Sequence, residues 1–172
     1  MSEALFNYRP FYTYVGSIDR YTCFVEVGVY TGASCAFLAK QLLARGAKFE
    51  LSAVDLWDET SQGYPPMANV YNEFVDRLHR EGLFEHVRIL RTESVKAAAH
   101  FQDASLDFVF IDADHSYEHV KADIEAWKPK MKVGGMLSGH DYGEPCGVKQ
   151  AVDELLGEHV SLMGTCWYMF VR

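Results

Sequence analysis

Short, nearly continuous apolar runs alternate along this chain with stretches whose apolar positions recur every three or four residues. TCFVEVG (22–28), FELSAVDLW (49–57), HVRILR (86–91), LDFVFIDA (106–113) and GGMLSGHD (134–141) have the length and composition of strands. Between and after them, ASCAFLAKQLLARG (33–46), NVYNEFVDRLHREG (69–82), ESVKAAAHF (93–101), SYEHVKADIEAWKP (116–129) and GVKQAVDELLG (147–157) carry helical spacing. Strands buried on both faces, each followed by a helix, describe a parallel sheet covered by crossover helices. HVSLMGTCWYMFV (159–171) divides at Gly164 into two β-rich runs close enough to form a hairpin. The expectation is an α/β fold: a doubly wound, mostly parallel seven-stranded sheet with a C-terminal antiparallel hairpin. Its binding crevice should lie beyond the carboxyl ends of the strands, where strand order reverses.

Length and composition narrow this without altering it. With 172 residues, 49% hydrophobic and 23% charged, the chain suits one domain over 1–172. A formal charge of -8, with Lys and Arg dispersed, argues against a nucleic-acid backbone as partner, which calls for a basic stripe. Cys23, Cys35, Cys146 and Cys166 form no CxxC pair, so neither a zinc cluster nor a redox dithiol is expected, and a reducing cytoplasm fits. MSEALFNYRP lacks a basic segment followed by an apolar run, and no stretch of about 18 apolar residues follows, so neither export nor membrane anchoring is expected.

The first candidate chemistry is VEVGVYTGAS (25–34), with Gly28 and Gly32 in the turn between the first strand and a helix. Glycines there permit a tight turn and close approach to a ligand, and the helix N-terminus favours a negative group. They would serve equally in a ligand-free βα turn. Neither GxxxxGK[ST] nor GxGxxG occurs, which lowers ATP and NAD in rank. Glu26, unwelcome beside a pyrophosphate, suits an ammonium group, so a zwitterionic ligand such as S-adenosylmethionine is the better match. Asp55, at the end of the second strand, can accept from two ribose hydroxyls or cap a turn. Trp57 can cover an adenine or line the base of the loop. Glu93 and Ser94, after the third strand, are candidates for the adenine edge, with Ser94 equally able to cap the helix that follows.

With VEVGVYTGAS, VDLW, DFVFIDADHSYEHVKADIEAW and GGMLSGHDY on one chain, the sequence resembles the class I S-adenosylmethionine-dependent methyltransferases. More narrowly it is similar to the catechol and caffeoyl-CoA type and to the sugar and macrolide O-methyltransferases, over about Cys23 to Val152. The resemblance implies a Rossmann-like methyltransferase fold and a cofactor held by Glu26, Gly28, Tyr30, Thr31, Gly32 and Ser34. It implies ribose contact by Asp55 and adenine contact near Ser94. It also implies that Asp112 serves the cofactor's sulfonium side and, with Asp141, a divalent cation. Two positions depart from the pattern. Tyr142 follows Asp141 where the catechol type has an asparagine ligand, and His115 stands where that type has a lysine base.

Methyl transfer from a sulfonium is an in-line displacement that needs a close, aligned and preferably deprotonated nucleophile. His115 suits the base, because its ordinary pKa lies near 6.5 and Asp112 and Asp114 would raise it. It could also simply cap or pack at the helix start. Magnesium or another divalent cation would find two carboxylates in Asp112 and Asp141, with Asp114, His140 or Glu144 as additions. The expected partner is a small-molecule hydroxyl substrate, with no nucleic acid and no membrane, and a homodimer is open. Two alternatives stand beside this reading: a noncatalytic cofactor-binding module, and an NAD- or nucleotide-binding oxidoreductase of the same fold. The loop Asp58 to Met67 with Tyr64, and the aromatics Phe6, Tyr8, Phe11, Tyr12 and Tyr14, are candidates for an acceptor pocket or a dimer contact. Ordinary packing of the N-terminal segment explains those aromatics equally well.

Overall fold

Every strand and helix expected from the apolar pattern is present in the computed structural model, which describes residues 6–57 and 69–172. The strands are β1 (Cys23–Val27), β2 (Glu50–Asp55), β3 (Val87–Arg91), β4 (Leu106–Ile111), β5 (Met131–Gly139), β6 (Ser161–Met163) and β7 (Cys166–Phe170). The helices are α1 (Arg9–Gly16), α2 (Ala33–Ala44), α3 (Val70–Arg80), α4 (Ser94–Ala98), α5 (Tyr117–Trp127) and α6 (Val148–Leu156). The loop Asp58 to Met67, a candidate for the acceptor pocket, lies outside the described residues.

Seven strands form one sheet in the order β3-β2-β1-β4-β5-β7-β6. β1 pairs in parallel with β2 on one side and β4 on the other, so the order reverses between β1 and β4. The C-terminal hairpin adds to β5 through β7, antiparallel, and leaves β6 at the edge.

The side-chain alternation of the strands divides the interior into two layers. Phe24, Phe108 and Phe110 face one side and pack under α1, α2 and α3 with Phe11, Tyr12, Leu38, Leu42 and Phe74. Val25, Val27, Val109 and Ile111 face the other and meet Ile124, Trp127, Val152 and Trp167 with α4, α5 and α6. No described helix has a side-chain hydrogen bond at its N-cap, a feature worth about 1 kcal/mol. Each buried large apolar side chain contributes about 1.5–3 kcal/mol, so packing rather than capping holds these helices.

Helix α1 is an element that the apolar pattern did not reveal. Its sequence, RPFYTYVG, is rich in aromatics, which are mediocre helix formers, and only Pro10 in the first turn is a positive signal. The helix is fixed instead by burial: the Phe11 and Tyr12 rings lie within 5.1–6.3 Å of Phe108 and Phe110. That packing brings the chain just before it across the carboxyl end of β4.

Candidate functional site

β1 ends at Val27, and Gly28 turns the chain at φ 84° while its N–H donates to the Val54 carbonyl at 2.9 Å. Tyr30 takes φ 53°, and Gly32 at φ 76° opens α2. Beneath this loop Glu26 is buried, its Oε1 accepting from the Ser34 hydroxyl at 2.5 Å. Among the described residues the other oxygen, Oε2, meets no donor at hydrogen-bond distance, and Thr31 Oγ1 and the Tyr12 hydroxyl are likewise buried without a partner, the Tyr12 hydroxyl being the neighbour that acts on the Glu26 carboxyl. Burial pushes the Glu26 carboxyl up to about 8, against the hydrogen bonds that favour its ionised form. A buried acidic oxygen left short of a close donor under a glycine loop has room for a cationic or donor group from a ligand.

Asp55 serves the same loop. Its Oδ2 accepts the N–H groups of Val29 at 2.8 Å and Tyr30 at 2.9 Å, and its Oδ1 accepts that of Trp57 at 2.8 Å. Burial raises its pKa although these three N–H groups, and that of Leu56, oppose the rise. Asp55 therefore fixes the loop's shape, its carboxylate held by backbone N–H groups on both sides.

Three expected cofactor residues are placed otherwise. Trp57 is buried below the loop, donating Nε1–H to the Tyr30 carbonyl at 2.8 Å and stacking on Phe74 at 4.9 Å, so it offers no face to an adenine. Ser94 Oγ accepts from Trp127 Nε1 at 2.9 Å, which ties α4 to α5 and does not cap α4. Glu93 is exposed and ion-paired with Lys96 at 2.9 Å. In each case a nearby partner captures the polar group that the crevice would need.

At the end of β4 the structure brings Asp112, His115 and Asp141 together with His140, one of the expected additions, and Tyr8, one of the candidate acceptor-pocket aromatics, and adds Thr165. His115 Nε2 lies 3.5 Å from Asp112 Oδ1 and 3.1 Å from Asp141 Oδ2. His140 Nδ1 lies 3.7 Å from Asp112 Oδ1 and 3.1 Å from Asp141 Oδ1, and its Nε2 is 2.7 Å from the Thr165 hydroxyl. The Tyr8 hydroxyl donates to Asp112 Oδ2 at 3.0 Å. Asp141 reaches the ring of groups from a left-handed backbone, φ 58°.

Two carboxylates and two imidazoles alternate around this ring, and the charges support one another. The His115 pKa is raised chiefly by its hydrogen bond to Asp112, against burial. For His140 burial acts to lower the pKa, but Asp112 and Asp141 outweigh it and lift it to about 9. Asp112, partly buried, is nonetheless held below the usual carboxylate range by both histidines, against the desolvation that would raise it. Thr165, in the turn between β6 and β7, had no signal in the sequence because only the tertiary fold brings it to His140.

Asp112, His115 and Asp141 each offer one ligand atom, all within 4.8 Å of one another. Two carboxylate oxygens with an imidazole nitrogen fit a divalent cation, a borderline transition metal more naturally than magnesium. Tyr142 stands apart, its hydroxyl donating to Asp153 at 2.7 Å. Asp114 accepts the Ser116 N–H at 2.7 Å in the turn that starts α5, and His119 meets Ser116 at 2.8 Å on the exposed side. Neither joins the ring. No described helix is long and apolar enough to cross a membrane.

A family described as a methyltransferase domain matches residues 25–142, from the glycine loop through Asp141. The chain is 29% identical over 141 residues to the uncharacterised protein y4gI of Sinorhizobium fredii, covering 81% of this chain and 15% of that protein. It thus spans about 15% of the length of the curated relative it matches. The solved structure of the O-methyltransferase NovP superposes with a TM-score of 0.71 at 21% identity, covering 92% of this chain and 74% of NovP. An rRNA methylase from Streptococcus thermophilus gives 0.66 at 16% identity over 95% of each chain. CalS11, a TDP-rhamnose 3'-O-methyltransferase, gives 0.65 at 17% identity over 91% of this chain and 75% of its own. At these identities the likeness is one of fold.

Proposed function

The chain belongs to a family of methyltransferase domains, and from that premise we propose that it moves a methyl group from S-adenosylmethionine to a hydroxyl oxygen of a small molecule. The observation that carries this reading is the buried, unpartnered Oε2 of Glu26 beneath the glycine loop. An amino-acid ammonium supplies the charge and the donors that this oxygen lacks, whereas an NAD pyrophosphate would meet an acid there. The carboxylate of the same ligand suits the N-terminus of α2, which has no side-chain cap. When bound, S-adenosylmethionine supplies an electrophilic methyl group. Asp55 then offers a carboxylate lone pair to a ribose hydroxyl.

Asp112, His115 and Asp141 form the acceptor side. His115, partly exposed between two carboxylates, takes the proton of the acceptor hydroxyl and passes it to solvent. Asp112 and Asp141 would hold a divalent cation beside His115, and such an ion would supply Lewis acidity toward the acceptor oxygen. The net charge of -8 supports a small acceptor over RNA. Four free cysteines support a reducing, cytoplasmic setting.

Calorimetry with S-adenosylmethionine and S-adenosylhomocysteine tests the reading first, and methyl transfer to a panel of hydroxyl compounds tests it second. Micromolar binding of both ligands is expected. Absence of binding to either, with NAD bound instead, would overturn the proposal.

A further inference from the structure

Tyr8 lies outside the matched family region and before the first strand, yet its hydroxyl reaches the central carboxylate of the site. Its ring is held by Phe6 at 5.0 Å, Phe110 at 5.1 Å, Tyr12 at 5.5 Å and His140 at 4.5 Å between centroids. A phenol so packed has little freedom to move. Its single proton is committed to Asp112 Oδ2 at 3.0 Å, so only oxygen lone pairs remain for any other neighbour.

Asp112 itself lies against the glycine loop, since a Cβ built on Gly28 would fall 2.0 Å from its carbonyl oxygen. Tyr8, bonded to Asp112, thus sits beside the meeting of the turn after β1 with the end of β4, the point where strand order reverses. A neutral oxygen whose proton is drawn off by a carboxylate is a strong acceptor and a poor donor.

We infer that Tyr8 is a cofactor-site residue supplied from outside the family's core, its oxygen accepting from the positively charged sulfonium end of S-adenosylmethionine. The inference rests on the methyl-transfer reading and extends it to a residue that the family match does not include. Tyr8 favours the charged cofactor over its neutral product, because an electron-rich oxygen attracts a sulfonium and its polarised methyl hydrogens but gains little from a thioether. Product release is eased by the same contact, since the attraction disappears when the methyl group leaves.

The test is the ratio of two affinities, measured by calorimetry on the full chain in chelator-containing buffer. Tyr8→Phe keeps the ring against His140 and Phe110 and removes only the oxygen. S-adenosylmethionine is expected to bind three- to tenfold more weakly to the variant, while S-adenosylhomocysteine stays within twofold of the unaltered protein. Tyr8→Trp, which returns a ring without an acceptor, should show the same altered ratio. Equal weakening of both ligands in Tyr8→Phe assigns Tyr8 a structural role and overturns the inference, as does an unchanged affinity for both. Failure of the unaltered protein to bind either ligand overturns the methyl-transfer reading itself, and this inference with it.

Discussion

Gly28 and Asp112 are in backbone contact: a Cβ built on Gly28 would lie 2.0 Å from the Asp112 carbonyl oxygen. The first-strand turn and the end of β4 are thereby locked together where the two halves of the sheet meet. Gly28 also holds φ 84°, a conformation that costs an L-residue about 1–2 kcal/mol. Gly28→Ala combines this strain with a backbone overlap that no rotamer relieves. A loss of about 4 kcal/mol or more is expected, seen as a large fall in urea midpoint. A midpoint close to that of the unaltered protein would show that the two loops can separate.

Glu26 links stability to ligand binding. Its carboxyl titrates near 8 in the folded, ligand-free protein against an ordinary 4.5, so the folded state binds the extra proton. Stability therefore falls as pH rises from about 4.5 to about 8, and Glu26→Gln should flatten that part of the profile. The same substitution removes the partner of an incoming ammonium, so the variant should be at least as stable at pH 7 and bind S-adenosylmethionine at least tenfold more weakly. Docking of the ammonium ionises Glu26, so binding at pH 7 should release close to one proton. Calorimetry in phosphate and in Tris, whose ionisation enthalpies differ, measures that proton directly. Equal heats in the two buffers would contradict the assignment.

What the sequence made legible follows from what is local. The strand ends carrying Glu26, Asp55 and Asp112 are written in apolar runs that stop at an acid, and their convergence follows from the strand order of a doubly wound sheet. The direction of a loop side chain is not local. Trp57 turns under the glycine loop because the Tyr30 carbonyl and the Phe74 ring await it there, and Ser94 turns to Trp127, 33 residues further on. Tyr8 meets Asp112 across 104 residues through an aromatic helix with weak intrinsic signal. Both the losses from the expected site and the additions to it come from tertiary contacts that periodicity does not encode.

His140 keeps Asp112 and Asp141 compatible at close range. Its pKa, lifted to about 9 from 6.5, means that its contribution to stability is complete below about 6.5 and disappears as pH rises through 9. His140→Ala leaves the two carboxylates facing each other with only His115 between them. A loss of about 3 kcal/mol at pH 7 is expected in chelator, in the range found when one member of a buried ion pair is removed. Manganese should restore part of that loss, since a cation replaces the missing charge. Thermal unfolding with and without manganese reads both effects, and a variant equally stable in either buffer would refute the charge-balancing role.

His115 separates chemistry from binding. It bridges Asp112 and Asp141 yet is more than a third exposed on its side chain, at 37%, whereas His140 is at 9%. Of the two imidazoles it is the one that can exchange a proton with water, and its pKa is raised first by the hydrogen bond to Asp112. As a base it acts only in the fraction that is neutral, so the methyl-transfer rate should climb with pH above the ordinary histidine range and then level off. His115→Gln keeps a polar side chain of similar reach without a titrating nitrogen. Turnover should fall by about 10²–10⁴, the usual contribution of general-base catalysis, with the basic limb of the profile lost. S-adenosylhomocysteine affinity should stay within threefold, because the glycine loop and Asp55 are untouched. Retention of the full rate in His115→Gln at every pH would exclude His115 as the base.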